Sequence, residues 1–272
     1  MTRLTEQQIS FFAAFGYVAL PGLVGDCIDE ITAAFEEVFT QHGGGHDGTA
    51  RSVIIPFIDR NERLCALLDD PRIEGALASL LGDDFNYLSS DGNYYTGNTH
   101  WHSDGGTDHH LDVKVAFYLD SLTRETGALR VIPGSHQGGD RFAGAMERQI
   151  KQSAEKWGVA DRDVPCVAVE TTPGDVLIFD HRIKHASFGG SKRRRMFTMN
   201  CTQRYPDQNL DELRKQISTL ARPGADRLYG ETMIATASPR RMVHLEQALA
   251  NDGHLAARAA KAKATQLEPA RR

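Results

Sequence analysis

His102 and Asp104 stand two residues apart in the run Trp101-His102-Ser103-Asp104-Gly105-Gly106. On an extended strand alternate side chains point the same way, so this spacing presents an imidazole nitrogen and a carboxylate oxygen to one ion while Ser103 faces away. An isolated pair of this kind is common by chance, and a third donor has to decide. Residues 175–179 form an apolar run after the turn at Pro173-Gly174, and just past it come His181 and His185. His185 leads into Ala186, Ser187, Phe188, Gly189 and Gly190, whose small members let backbone approach a bound group. His181, between Asp180 and Arg182, reads as solvated. Either histidine could be the third ligand beside His102 and Asp104, and His185 is the stronger candidate. Two imidazoles and a carboxylate suit octahedral Fe(II) with positions left open for dioxygen chemistry; they also suit catalytic zinc.

A second group lies downstream, in Arg193-Arg194-Arg195-Met196-Phe197-Thr198-Met199. Read as a strand, it puts Arg194, Met196, Thr198 and Asn200 on one side and Arg193, Arg195, Phe197 and Met199 on the other. An inward guanidinium fork would pair with the distal carboxylate of a dicarboxylate, Thr198 adding a hydroxyl.

Strands must position these groups. Residues 87–95, 111–120, 128–132, 167–170, 175–179 and 194–201 are short, rich in β-branched or aromatic residues, and bounded by Gly or Pro. Helical spacing precedes them: Thr5 and Gln8 form a capping box ahead of Ile9, Phe12 and Ala13, while Ile28, Ile31, Phe35 and Val38 recur on one face. Residues 61–68 and 71–81 read as two further short helices, and the glycine-rich stretch 43–48 as a mobile loop. The expected fold is mainly β with flanking helices (α+β), a single domain over 1–272. Its helical N-terminal part covers 1–82, its β core about 83–205, and its C-terminal helices 206–272. A polar helical insertion at 137–163 would cover one end of the core, and the alanine-rich stretch from His254 reads as an exposed helix with a frayed basic tail. The loops 43–51 and 109–112 and the insertion are the expected pocket walls.

Beyond the HxD, an ordered set of landmarks resembles the phytanoyl-CoA dioxygenase family of Fe(II)/2-oxoglutarate-dependent oxygenases. It comprises Leu4 to Ile9 with Gly16-Tyr17-Val18, then Trp101 to Gly105, Leu119-Asp120, Gly127 to His136, Gly174-Asp175-Val176, and His185-Ala186-Ser187 with the arginines that follow. The resemblance implies a double-stranded β-helix (jelly-roll, cupin-like) core in which His102, Asp104 and His185 ligate Fe(II). It implies 2-oxoglutarate as cosubstrate and O2 as oxidant. Arg194, with Arg195 as the alternative, falls on the family's carboxylate-binding position, and Thr99 on a polar cosubstrate contact. The implied reaction oxidises a substrate C–H bond, hydroxylation first among the outcomes, and releases succinate and CO2. Related halogenases carry a small residue in place of Asp104, so its carboxylate argues for oxidation. His136 reads as structural; His109 and His110 follow the metal turn and read as exposed loop histidines ahead of the alternative that they line the pocket, and Asp108 stays open between the two.

Composition narrows the partners. Hydrophobic content of 40%, charged content of 25% and a net charge of -5 give no reason to expect nucleic acid. Cys27, Cys65, Cys166 and Cys201 form no CxxC pair and suit a reducing compartment. No leader-like or membrane-spanning run is evident, so a cytoplasmic enzyme acting on a small-molecule substrate is the expectation. A zinc hydrolase and a non-catalytic small-molecule binding protein are the competing readings.

Overall fold

The computed structural model describes residues 2–106, 109–220 and 225–265; Asp108 and the basic tail lie outside them. The chain opens with α1 (Glu6–Phe15), β1 (Tyr17–Leu20), α2 (Ile28–His42), β2 (Ser52–Ile54), α3 (Glu62–Cys65) and α4 (Pro71–Leu81). Four strands follow: β3 (Asn86–Tyr95), β4 (Thr99–His102), β5 (Asp112–Tyr118) and β6 (Leu129–Val131). After α5 (Arg141–Gln149) and α6 (Ser153–Trp157) come β7 (Val167–Val169), β8 (Val176–Asp180), β9 (His185–Ser187) and β10 (Arg194–Thr202). Helices α7 (Leu210–Leu220), α8 (Glu231–Ala235), α9 (Pro239–Ala250) and α10 (His254–Thr265) close the sequence. Local chemistry sets the helix ends. Thr5 and Gln8 cap α1 reciprocally, and Gly16 ends it at φ 82, a left-handed conformation that glycine tolerates.

Two antiparallel sheets carry the architecture, a six-stranded one in the order β1-β8-β5-β10-β3-β2 and a four-stranded one in the order β4-β9-β6-β7. Alternation along β5 sorts the layers. Val113, Val115 and Phe117 join the large core against the flanking helices, while Ala116 and Tyr118 join a second core with Leu129, Val131 and Val169 of the small sheet. The space between the sheets is thus apolar at one end, and at the other it is lined by the functional groups. A third cluster, including Trp101, Ile150, Ala186 and Phe188 with Met146 and Trp157 packed on it, seats the insertion. The apolar side chains of the insertion meet Trp101 and Phe188 on the outer face of the small sheet, while residues 137–148 share a cavity with Ser103, Gly105, Gly106 and Arg182 beside the turn that carries Asp104.

Some expectations shift. His185 lies inside a strand, β9, which pairs with both β4 and β6. The 43–48 loop is tied down: His46 hydrogen-bonds Ser52 Oγ at 2.9 Å and the Lys192 carbonyl at 2.6 Å, and stacks on Tyr94. Helix α10 is not simply exposed, since Leu255 and Ala259 are buried. All four cysteines are free thiols. Among the described residues no helix is long and apolar enough to cross a membrane.

Candidate metal centre and its cavity

β4 and β9 lie side by side with His102 opposite His185 in register, and the chain turns after β4 to bring Asp104 beside both. A hydrogen bond from Asp104 N to the His181 carbonyl, at 2.8 Å, fixes that turn. The donor atoms of His102, Asp104 and His185 all lie within 4.8 Å of one another. Asp104 Oδ1 is 4.0 Å from His102 Nε2, and its Oδ2 is 3.7 Å from His185 Nε2. Both imidazoles are oriented from behind. His102 Nδ1 is 2.8 Å from the His100 carbonyl and His185 Nδ1 is 3.0 Å from the Ile183 carbonyl. A carbonyl only accepts, so each Nδ1 carries the proton and each Nε2 offers its lone pair to the shared point. The donor set is that of a mononuclear metal site with positions to spare, which fits iron.

Electrostatics agree. Burial pushes the His185 imidazole down to about 4, against the opposing pull of Asp104, which keeps it neutral and ligand-ready at neutral pH. Burial would raise the Asp104 carboxyl, yet the Lys114 ammonium, together with His185 and His181, holds it well below the usual carboxylate range. Lys114 Nζ sits 2.8 Å from Asp104 Oδ2.

The triad lines one part of a cavity of about 230 Å³ whose walls also include Arg51, Thr99, Lys114, Tyr118, Ser187, Arg194 and Thr198. Arg194 is 3% exposed and donates from Nη1 to the Gly127 carbonyl at 2.9 Å and to Ser187 Oγ at 2.5 Å. Its Nε is buried without a partner. A buried donor left unmatched costs about 1–3 kcal/mol, so this edge of the fork fits an anionic guest that supplies the acceptor. Gly127, at φ 104, makes the approach possible, because a Cβ there would lie 2.1 Å from Arg194 Nη1.

Of the other expected groups, Thr99 lines the same cavity. Thr198 lines it too, but its hydroxyl donates to Asp91 Oδ1 at 2.5 Å, so the expected hydroxyl contact to a carboxylate is already committed. Arg195 points the other way and pairs with Asp120 at 2.6 Å and Glu36 at 2.9 Å, outside the cavity that Arg194 lines. His181 is not solvated: its Nε2 is buried without a partner, and it faces a second chamber rather than joining the triad. His136 reaches the Ala13 carbonyl at 3.3 Å, and His109 pairs with Glu212 at 3.1 Å. The second chamber, about 680 Å³, shares Ile55, Asp91, Asp104 and Lys114 with the first and extends toward Asn200, Tyr205, Gln216 and Thr219. Sequence reasoning missed Lys114 and Asp91. The available signal was one lysine among the uncharged residues from Val113 to Tyr118, on the parity of Ala116 and Tyr118.

A mixed α/β frame built around one candidate metal centre defines the class of the molecule. The chain belongs to the phytanoyl-CoA dioxygenase (PhyH) family, whose model matches residues 12–196. Solved structures share the fold. The non-heme alpha ketoglutarate dependent carbocyclase SnoK from nogalamycin biosynthesis is 24% identical, with a TM-score of 0.60 over 84% of this chain and 95% of its own. HygX from Streptomyces hygroscopicus, with nickel and 2-oxoglutarate bound, is 19% identical with a TM-score of 0.57 over 75% and 89%. EctD from S. alaskensis, with 2-oxoglutarate and 5-hydroxyectoine, is 22% identical with a TM-score of 0.56 over 74% and 76%. A comparison with curated proteins finds no match.

Proposed function

We propose that the chain is an Fe(II)- and 2-oxoglutarate-dependent dioxygenase, a single domain on a jelly-roll core, that hydroxylates a C–H bond of a small organic metabolite. The observation that carries this reading is the partnerless Nε of buried Arg194 in the cavity that also holds the triad. A dicarboxylate can reach the metal with one end and the guanidinium with the other. The inward arginine, together with the HxD on a strand, favours this reading over a zinc hydrolase. When bound, iron with 2-oxoglutarate and O2 supplies oxidation of the substrate carbon, with release of succinate and CO2.

The residues do the rest. His102 and His185 offer neutral Nε2 atoms, Asp104 stays ionised, and Arg194 orients the cosubstrate through its free edge. Tyr118, Leu129, Phe179 and Met196 line the same cavity and exclude water from it. Asp104 holds the position that a halide would need. The chamber of about 680 Å³ beyond Asp104 and Lys114 is the proposed substrate room, large enough for a metabolite and walled partly by α7. SnoK is described as a carbocyclase and SnoN as an epimerase, so this scaffold also hosts other outcomes. Hydroxylation is the reading favoured here because it asks least of the site. The test is anaerobic addition of Fe(II) and 2-oxoglutarate, with a weak visible charge-transfer band as the expected result. No band, together with tight retention of zinc, would transfer the site to hydrolytic chemistry.

A further inference from the structure

Asp112 is a buried carboxylate without a cation. It opens β5 on the inward parity of Lys114 and Ala116, is 6% exposed, and lines the second chamber. Among the described residues its carboxylate meets one donor, Gln216 Nε2 at 3.2 Å. The Tyr205 hydroxyl donates to Gln216 Oε1 at 2.7 Å and so fixes which way that amide points. A single neutral amide does not offset a buried negative charge, which is ordinarily paired. Asp112 Oδ2 lies against the turn that carries Asp104, where a Cβ on Gly106 would be 3.8 Å away.

The other charges around this chamber are already committed. Lys114 is held by Asp104 at 2.8 Å, and Glu212 meets His109 at 3.1 Å. Asp91 accepts from Thr198 and Asn93 and lies 3.8 Å from Arg51. Arg182, beside Gly106, is paired with Asp180 at 2.7 Å. Lys215 reaches the chamber from α7 but is exposed, so solvent screens it. A second polar atom on the same wall is unmatched: His181 Nε2 is buried without a partner. The two residues are neighbours, since His181 N donates to the Asp112 carbonyl at 3.0 Å.

We propose that the chamber takes a substrate bearing a protonated amine, with the ammonium on Asp112 and the carbon to be oxidised toward Asp104. The inference rests on the reading of this chamber as the substrate room of an iron and 2-oxoglutarate enzyme. Successive inward residues of a strand are about 7 Å apart, so the ammonium is held that far along β5 from the lysine that meets Asp104. An ammonium brings three donors. They satisfy the open carboxylate and, in the tautomer that leaves His181 Nε2 unprotonated, that nitrogen too. An anionic group in the same place would meet the charge of Asp112 instead.

The experiment loads the protein with Mn(II) and saturating 2-oxoglutarate and titrates it with three probes of one shape: cyclohexylammonium, cyclohexanol and cyclohexanecarboxylate. Paramagnetic broadening of each probe's proton signals reads both affinity and closeness to the metal. Cyclohexylammonium is expected to bind about tenfold more tightly than cyclohexanol, as a charge-assisted hydrogen bond in a buried site allows, and cyclohexanecarboxylate most weakly. The ring protons opposite the nitrogen should broaden more than the proton beside it. Asp112→Asn keeps an acceptor for Gln216 and loses the charge, so the preference for ammonium should vanish while cyclohexanol binds as before. An ammonium probe that binds no better than the alcohol or not at all, or a preference that survives in Asp112→Asn, overturns the proposal. Tighter binding of the carboxylate overturns it as well and turns the chamber to anionic substrates. Asp112→Ser removes the same charge should the asparagine variant misfold. Failure of wild type to hold Mn(II), or 2-oxoglutarate with it, would instead count against the iron-enzyme reading itself.

Discussion

His181 and His185 are four residues apart and meet opposite fates, because β9 begins at His185 and sets its ring against β4. His185 hydrogen-bonds backbone behind it and faces the shared point, whereas His181 turns to the second chamber. His185→Ala is therefore expected to abolish metal retention and succinate formation, while His181→Ala keeps the metal; equilibrium dialysis followed by metal analysis checks both. The arginines separate in the same way by strand parity. Removing Arg194 deletes a charged contact of about 1.5–3 kcal/mol, so Arg194→Ala should raise the 2-oxoglutarate requirement roughly tenfold or more. Arg195→Ala should leave that requirement nearly unchanged and lower thermal stability, since its partners are Asp120 and Glu36. A steady-state 2-oxoglutarate titration of both variants distinguishes them, and equal effects would contradict the assignment. Donor types and spacing made the triad and the inward face of Arg194 legible in the sequence. Lys114 was not legible, because a lysine on a strand ordinarily carries its ammonium to solvent. Only the packed sheets reveal that this one meets a carboxylate.

At the scale of elements, the strut between α2 and the sheet shows how the arginine run is used on its outward side. Glu36 of α2 accepts hydrogen bonds from Tyr94 on β3, from Arg193 and from Arg195 on β10. Burial by itself would raise the Glu36 carboxyl, but the hydrogen bonds from Tyr94 and Arg195 and the charge of Arg193 pull it below its ordinary value of 4.5. A depressed carboxyl contributes stability that is present above the unfolded value and lost as pH falls through the folded one. Glu36 is 34% exposed in its side chain, so solvent screening limits the contribution to about 1 kcal/mol or less. Glu36→Gln should accordingly melt about 2 °C below wild type at pH 7. The two curves should converge well below pH 4.5, where both side chains are neutral. A gap that widened in acid would mean that the ion pairs are not what the strut supplies. The longer strands and the first helices were readable from period and capping. β9 was not, since three residues carry too little pattern, and the outer-face seat of 137–163 depended on Trp101 and Phe188, which no local pattern brings together.

Across the whole molecule one apolar cluster joins Phe12 of α1, Phe35 of α2, Leu77 of α4, Val115 of β5, Phe197 of β10 and Leu255 of α10. The sheet that carries Arg194 and Lys114 on its inner face is held from its outer face by helices drawn from both ends of the chain. The site therefore depends on packing far from it in sequence. Leu255 is 1% exposed, and cutting it to alanine removes a buried side chain from the helix that the sequence alone marked as exposed. The expected cost is about 2–5 kcal/mol. If the chain is one cooperative unit, that loss lowers a single transition, and release of bound Mn(II) on heating tracks the loss of near-ultraviolet dichroism in both wild type and Leu255→Ala. Release of the metal at an unchanged temperature, with only the helical signal shifted, would instead separate the C-terminal helices from the β core as an independent layer. The first outcome follows from the geometry, because α9 lies against β3, where Asn86 donates to Gln247 at 2.8 Å, and β3 pairs directly with the strand that presents Arg194.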